Sequence, residues 1–564
     1  MMKRSLSLVC FVMALVAYPG AHAQQQPNAY AISSAHELAT QAGVTIFEQG
    51  GNAYDAAVAV SAALAVVEPA SSGIGGGGFW MLQSHDDALS VMVDGREVAP
   101  AAAHRDMYLD DEGNVDRDLA TNGGLAAGIP GAPAAWVHIA EKYGTLPLSV
   151  LLQPAIDLAA NGFPADEKYV TLLAMREEVM NRWPETAEIF MPEGNVPSVG
   201  DIIVQADLAN TLRTLAERGH DGFYTGEIAQ RLVDGTRAAG GIWTMEDLAN
   251  YSVKERDPIT TEYRGYELIS AAPPSSGGIT IAQILNLIEP YELSELTRVE
   301  RTHLLAEAMR RAYRDRALYL GDTDFVDVPM DVLLSKAYAA GMRTSLRLDQ
   351  ATPSSMLAND PDVRPEGNNT THFSLIDDEG NMVSATLTVN LLYGAAYVPP
   401  GTGVLLNNEM DDFSAKPGAP NAFGLVGFEA NAIEPYKRML SSMSPTIVRS
   451  PQRVAVIGTP GGSRIITMVL LGLLDFIDGN GPQSWVSLPR FHHQYLPDEI
   501  SIEPDSMSAA EIEALEALGH TVTERDRTWG NMHGVMWDLM SNELEAAHDP
   551  RWPSGGAVVV PVTD

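Results

Sequence analysis

Cysteine is almost absent from this chain. The single one, Cys10, lies in an N-terminal stretch with its own character: Met1-Met2-Lys3-Arg4, an apolar run from Ser5 to Tyr18, then Pro19-Gly20-Ala21-His22-Ala23-Gln24. A basic start, a short greasy middle and an Ala-x-Ala end are the marks of a secretory signal, and cleavage is expected after Ala23. The mature product then has no thiol and no disulfide, which excludes cysteine nucleophiles and metal-thiolate chemistry. No later stretch reaches about 18 unbroken apolar residues, the length a spanning helix needs. The expected product is exported, periplasmic or secreted, with no membrane span. Basic residues are scarce too: 36 Lys and Arg face 73 Asp and Glu, and loss of Lys3 and Arg4 takes the formal charge from -37 to -39. Such a surface repels phosphate backbones, so nucleic acid is not an expected partner. Also missing are Pro/Ser-rich linkers, repeats and low-complexity blocks. Length alone would suggest about four domains, but nothing divides the chain into them.

The stretch with most structure written into it runs from Gly367 to Asn390. Gly367-Asn368-Asn369-Thr370-Thr371-His372-Phe373-Ser374-Leu375-Ile376 and Met382-Val383-Ser384-Ala385-Thr386-Leu387-Thr388-Val389-Asn390 flank five turn formers, Asp377 to Asn381. Two alternating runs around such a loop predict a β-hairpin. One face pairs Thr371 with Leu387, Phe373 with Ala385 and Leu375 with Val383; the other pairs Thr370 with Thr388, His372 with Thr386 and Ser374 with Ser384. An apolar face against a hydroxyl-rich one suits a half-buried hairpin, and a one-residue slip would scramble it. A two-residue slip would keep the same faces. In this register the Thr370 and Thr388 hydroxyls come within reach of one another. A hydroxyl is a poor nucleophile until a base takes its proton, and a threonine that begins a chain can use its own α-amine. That requires a cut between Asn369 and Thr370. The other reading is that threonines simply make good strands.

Elsewhere, Gly50-Gly51 stops one helix and Asn52 caps a second, Ala53 to Val67, apolar nearly all round and expected to be buried. Ser71-Ser72-Gly73-Ile74-Gly75-Gly76-Gly77-Gly78-Phe79 lacks the Gly-Lys-Ser/Thr of a phosphate loop; close backbone packing near a site fits better. A strand over Leu89 to Asp94 ends in Gly95-Arg96-Glu97, where Arg96 can grip a carboxylate through its fork or pair with Glu97 or Asp94. Pro273-Pro274-Ser275-Ser276-Gly277-Gly278 lacks a nucleophile elbow and reads as a structural loop. A helix carrying Leu304, Leu305, Ala308, Met309, Ala312 and Tyr313 on its buried face is expected to turn Arg310, Arg311 and Arg314 mostly outward. Asp349 to Gly367 is polar and rich in Pro and Asn, as suits a segment that loosens and leaves after a cut at its C-terminal end. Val454 to Ile457 reads as a buried strand, followed by Gly458-Thr459-Pro460-Gly461-Gly462 and a helix starting near Ser463. Amides at a glycine turn that opens a helix suit an anion, or serve merely as a tight turn.

The run Asn368 to Ser374, with Asn407 to Ser414, Leu440 to Thr446 and Pro460 to Ile465, resembles the γ-glutamyltranspeptidase family of self-cutting N-terminal-nucleophile hydrolases. The resemblance covers nearly all of the chain after its first thirty or so residues. It implies an α+β fold, a four-layer αββα sandwich built jointly by two chains of one precursor: a large chain of residues 24–369 and a small one of residues 370–564, after removal of the signal at residues 1–23. It implies cleavage between Asn369 and Thr370, attack by Thr370 with Thr388 positioning it, and an oxyanion hole at Gly461 and Gly462. For the substrate's α-carboxylate it implies Arg96, Ser441 and Ser442; for its α-ammonium, Asn390, Glu409 and Asp412. The substrates implied are glutathione and other γ-glutamyl compounds, with water, amino acids or peptides as acceptors and no metal or organic cofactor. The matching lid segment, Pro417 to Gly427, carries Phe423 where bacterial members often carry a tyrosine, removing one possible latch. Related enzymes remove glutaryl groups from cephalosporins or cut poly-γ-glutamate. An exported, uncut protein binding γ-glutamyl compounds or amino acids is the contrasting possibility.

Overall fold

The computed structural model describes residues 26–357 and 370–562. The signal stretch, the residues just before Thr370 and the last two residues lie outside them.

Two antiparallel sheets form the middle of the molecule. The first has seven strands in the order Gly556–Pro561, Ala29–Ser34, Thr371–Ile376, Met382–Thr388, Gly77–Gln83, Ser90–Gly95, Lys254–Arg256. The second has six: Glu543–His548, His533–Asp538, Arg453–Gly458, Thr446–Arg449, Tyr266–Ser270, Ile259–Tyr263. The hairpin pairs in the expected register, Leu387 with Thr371 through Met382 with Ile376, around the loop Asp377 to Asn381. Alternation sends successive side chains to opposite faces. Thus Trp80, Leu82, Phe373, Leu375 and Val383 join one core, with helices Glu37–Glu48, Ala53–Val67 and Ala132–Tyr143. Phe79, Met81 and Met92 join the other, with the second sheet and helices Gly277–Ile288, Arg298–Tyr319 and Ile465–Ile477. Helices, sheet, sheet, helices: this is the αββα arrangement, each sheet covered on both faces.

The helices start where the sequence places them. Asn52 Oδ1 accepts from the Tyr54 and Asp55 amides, both at 2.9 Å, while Asp55 accepts from the Asn52 amide at 3.0 Å. This reciprocal cap satisfies donors the first turn would otherwise leave bare. Every residue of Ala53–Val67 is buried, as an all-apolar helix requires.

Two expectations are corrected. The hairpin is buried on both faces rather than one. Its hydroxyl face looks into the second sheet, where Ser384 Oγ accepts from the Thr446 amide at 3.0 Å and donates to the Ile457 carbonyl at 3.2 Å. His372 lies between Thr386 Oγ1 at 2.8 Å and Ser374 Oγ at 3.0 Å, and Ser374 Oγ donates on to the His533 carbonyl at 3.3 Å. That chain of donors assigns the His372 proton to Nε2. A polar strand face was therefore polar for a partner sheet and not for water.

Arg310 and Arg311, expected outside, are buried, at 1% and 3% exposure; Arg314 alone of the three is partly exposed. Glu307, one turn earlier, binds both Arg310 and Arg311, and Asp498 binds Arg310 again. In the uncut chain the same carboxylates also hold residues 351–356. Glu307 accepts from the Thr352 amide and hydroxyl at 3.0 and 2.6 Å, and Asp498 from the Ser354 amide at 2.7 Å. The buried charges are paired because an unpaired one would cost several kcal/mol. The rest of that stretch, residues 358–367, lies outside the described residues.

Candidate active site

Thr370 precedes the first residue of the strand Thr371–Ile376 and is 5% exposed. It lines two cavities at once. The smaller, about 20 Å³, gathers Thr388, Asn390, Glu409, Asp412, Ser441, Ser442 and Gly462 around it, with Phe423 on its wall. The larger, about 750 Å³, is lined by Thr370 and Gly461 and shares only Thr370 with the smaller. Residues more than 90 positions apart along the chain thus surround one hydroxyl, and every site residue named from the sequence except Asn369 and Arg96 lines one of these two spaces. Asn369 lies outside the described residues.

Arg96 stands one layer behind the small cavity. Its guanidinium is fully buried and reaches Glu409, Asp412 at 2.6 Å and Glu97 at 3.5 Å, with Nε donating to the Met439 carbonyl at 3.3 Å. The two receptors assigned separately to carboxylate and ammonium are here paired with each other. Three carboxylates nevertheless face one guanidinium. Burial pushes the Glu97 carboxyl up to about 7 against the pull of Arg96. It drives Glu409 well above the usual carboxylate range, and Asp412 upward as well. Both Glu97 oxygens and Glu409 Oε2 are buried without a hydrogen-bond partner among the described residues. A cation arriving among these raised carboxyls would let them ionise, so the cluster favours one.

The threonine pair is held from beneath. Gly76 packs so closely that a Cβ there would collide with the Thr388 carbonyl, so the glycine run is the close backbone packing expected. Asn390, at φ 73°, donates its amide to Thr388 Oγ1 at 2.7 Å. Thr388 Oγ1 accepts that bond and keeps its own proton for another partner. Asn390 Nδ2 donates to the Asn408 carbonyl at 2.9 Å, and its Oδ1 has no partner among the described residues.

The turn after the strand Arg453–Gly458 puts Gly461 at φ 142° and Gly462 at φ 57°, conformations that side chains avoid. A Cβ on Gly462 would also strike the Phe423 ring. Neither glycine amide has an acceptor among the described residues, and both open onto the cavities that Thr370 lines. The segment Pro417 to Gly427 is held in place without a tyrosine: Asn421 Nδ2 donates to Asp412 at 3.0 Å, the Ala422 amide to Asp411 at 3.0 Å, and Gln494 Nε2 to the Gly424 carbonyl at 3.1 Å. A space of 20 Å³ holds about one water, and Phe423, Leu425, Met443 and Ile465 form its apolar wall.

Residues that the sequence did not single out complete the site. Arg316 Nη2 donates to Ser442 Oγ at 3.1 Å and its Nε to Ser276 Oγ at 2.9 Å. Ser276 Oγ in turn donates to the Ser441 carbonyl at 2.6 Å, and Ser275 Oγ to that of Met443 at 2.5 Å. The Pro273 to Gly278 segment is a structural loop, as read, and its work is to hold the Ser441-Ser442 turn. No local signal marked Arg316, which lies on a helix otherwise legible as scaffold.

The family model for γ-glutamyltranspeptidases matches residues 39–559. The chain is 44% identical to the glutathione hydrolase proenzyme of Escherichia coli (strain K12) over 92% of this chain and 90% of that one. It is 36% identical to the acylase ACY 1 proenzyme of Pseudomonas sp. (strain SE83) over 89% of each. Among solved structures, cephalosporin acylase from Bacillus halodurans superposes with a TM-score of 0.83 at 28% identity, over 98% of this chain and 99% of the other. γ-Glutamyltranspeptidase from Helicobacter pylori gives 0.56 at 44% identity, over 57% of this chain and 93% of that one.

Proposed function

The chain belongs to the γ-glutamyltranspeptidase family, and from that premise we propose that it is a precursor cut between Asn369 and Thr370, with Thr370 as the nucleophile of the product. Its activity is that of a glutathione hydrolase and γ-glutamyltransferase. In the first reaction the Thr370 hydroxyl attacks the Asn369 carbonyl carbon and the peptide bond shifts to an ester. Water opens that ester, leaving the Asn369 carboxylate on the large chain and a free α-amine on Thr370. The chains of residues 24–369 and 370–564 stay associated through the sheets they share. Residues 1–23 are a signal removed on export to the periplasm or beyond.

In turnover the neutral Thr370 amine takes the hydroxyl proton as Oγ1 attacks the γ-carbonyl carbon. Thr388 donates its remaining proton to fix the attacking oxygen. The Gly461 and Gly462 amides receive the oxyanion, the element that in such sites is worth about 3 kcal/mol per donor. The amine returns the proton to the leaving nitrogen, Cys-Gly or another amine departs, and a γ-glutamyl ester of Thr370 remains. Water, or the amine of an amino acid or peptide, then attacks the ester while the same α-amine takes its proton. Ser441 and Ser442 hold the substrate's α-carboxylate, which Arg96, one layer behind and paired with Glu409 and Asp412, reaches on changing partners; Glu409, Asp412 and Asn390 hold its ammonium.

The observation that carries this choice is the three carboxylates around the Arg96 guanidinium. A γ-glutamyl head brings one carboxylate and one ammonium into that field. A glutaryl head, the group a cephalosporin acylase removes, brings the carboxylate alone. Release of 4-nitroaniline from γ-glutamyl and glutaryl anilides separates the two readings. The expected preference is γ-glutamyl, and a preference for glutaryl overturns it. On a denaturing gel active material shows two bands, with threonine in the first sequencing cycle of the smaller; a single full-length band in active protein would instead favour an uncut binder. Thr370→Ala is expected to leave one band and to lower activity by more than about 10³-fold.

A further inference from the structure

The large groove beside Thr370 carries charge of the sign this chain otherwise lacks. Five cations line it, Arg117, Lys168, Arg176, Arg527 and Arg551, and the described residues lining it include no carboxylate, in a protein of formal charge -37. Three of the five are matched by carboxylates outside the groove: Lys168 by Glu68, Arg117 by Asp411 at 3.4 Å, and Arg551 by Glu503 and Asp549. The other two are not. Arg176 Nη2 donates to Asn122 Oδ1 at 2.8 Å and to the Gly394 carbonyl at 3.2 Å, while its Nε is buried without an acceptor among the described residues. Arg527 Nη1 meets the Met175 sulfur at 3.7 Å and has no carboxylate within ion-pair reach among the described residues; Met175 is the residue before Arg176. Burial, with Arg182 nearby, also lowers the Arg176 guanidinium to about 10 against the longer-range pull of Asp118, the direction burial gives a cation that no close carboxylate offsets. The uncharged lining mixes Leu172, Leu391, Leu392 and Trp529 with polar Thr171, Asn421, Thr528 and Asn531.

The small cavity takes the acyl side of the scissile bond, so the groove takes the other side. We propose that Arg176 and Arg527 form a receptor for a carboxylate on the leaving group, and equally on the incoming acceptor, making this enzyme selective for γ-glutamyl peptides that end in a free carboxylate. The inference rests on the γ-glutamyl reading of the site. Its chemistry is charge-assisted pairing of a planar fork with a carboxylate. The carboxylate comes either from a single peptide terminus, as in the Cys-Gly half of glutathione, or from the successive α-carboxylates of a γ-glutamyl oligomer.

The test uses the mature two-chain enzyme and four donors: glutathione, its C-terminal glycinamide, γ-glutamyl-4-nitroanilide, and a tri-γ-glutamate. The quantity read is kcat/KM for the acid over kcat/KM for the amide, formed within each protein so that any loss of folded material cancels. Wild type is expected to favour the acid by roughly tenfold or more, and Arg176→Gln and Arg527→Gln each to lower that ratio by roughly tenfold. A tri-γ-glutamate turned over faster than glutathione assigns the groove to oligomers, and one turned over no faster assigns it to a single terminal carboxylate. Equal use of acid and amide by wild type, or ratios unmoved in both variants while the anilide is still cleaved, overturns the receptor and leaves the γ-glutamyl reading intact. Failure to cleave any γ-glutamyl donor, the anilide included, overturns that reading and the receptor with it.

Discussion

On one side of Thr370 lies a cavity of about 20 Å³ whose charges are buried and paired with one another; on the other lies a groove of about 750 Å³ whose cations stand partly in solvent. The closed side was built before any ligand arrived. Arg96 already holds Glu409 and Asp412, and the loop through Ser275 and Ser276 already holds the Ser441-Ser442 turn. The open side has two arginines with no carboxylate partner among the described residues. A buried, prepaired receptor recognises one head group, the one that can replace the pairs it gives up. An open charged groove discriminates by sign and tolerates variety in what carries it. The pairing of a strict site for the acyl group with a permissive one for the amine is what a transferase needs.

The comparison breaks hardest at Asp412. Asp412→Asn keeps the shape but removes one of the charges opposing Arg96, and leaves the substrate ammonium short of a partner in a dry site. The expected result is a loss of about 10²-fold in kcat/KM for γ-glutamyl anilide, with a much smaller loss for glutaryl anilide. Equal losses for both would show that the closed side does not read the ammonium. The pH dependence tests the same point without mutation. Glu97 and Asp411 are raised by burial to about 7 and about 6, and Glu409 and Asp412 are raised as well. As pH falls through those values the carboxyls take up protons and their attraction for an ammonium fades. The Thr370 amine also loses activity on the acid side, but for every substrate alike. The ratio of γ-glutamyl to glutaryl kcat/KM is therefore expected to fall by up to about tenfold per pH unit below pH 7. Stability moves the other way for these groups: a folded pKa above the unfolded one stabilises at low pH and is lost as pH rises through it. His372, lowered by burial to about 3, has the opposite sign and costs stability as pH falls from 6.5 towards 3, so thermal melts at each pH separate lost binding from lost fold.

The closed side was also the more legible in sequence. The hairpin register followed from period-two alternation and a five-residue loop, and each pair it named between Thr371 and Val383 meets across the ladder. Asn52, Gly76 and the glycines at 461 and 462 announced themselves because caps, close approaches and positive φ need particular residues. What stayed hidden was whatever depends on a partner far along the chain. Nothing near Ser384 said that Thr446 would face it, so a hydroxyl face was read as solvent-facing. Glu307 was visible one turn from Arg310 and Arg311, yet Asp498, almost two hundred residues on, decides that the cluster is buried. The αββα layering and the roles of Ser441 and Ser442 came from family resemblance, since periodicity alone shows only mixed helix and strand. The open groove was wholly illegible: its cations come from residues 117 to 551, and each alone is an ordinary surface arginine or lysine.

Salt sharpens the contrast with the smallest effect. The Debye length is about 10 Å at 0.1 M ionic strength, and partly exposed charges are screened far more than buried ones. Arg527 is exposed and Arg176 partly so, whereas Arg96 is fully buried behind Glu409 and Asp412. Raising sodium chloride from about 0.05 to about 0.5 M is therefore expected to lower kcat/KM for glutathione by two- to threefold relative to γ-glutamyl anilide, which places no carboxylate in the groove. Between γ-glutamyl and glutaryl anilides, which differ only at the buried head, the ratio is expected to stay level across the same series. A head-group ratio that moved with salt while the glutathione ratio held would reverse the assignment of which charges are sheltered and which meet solvent.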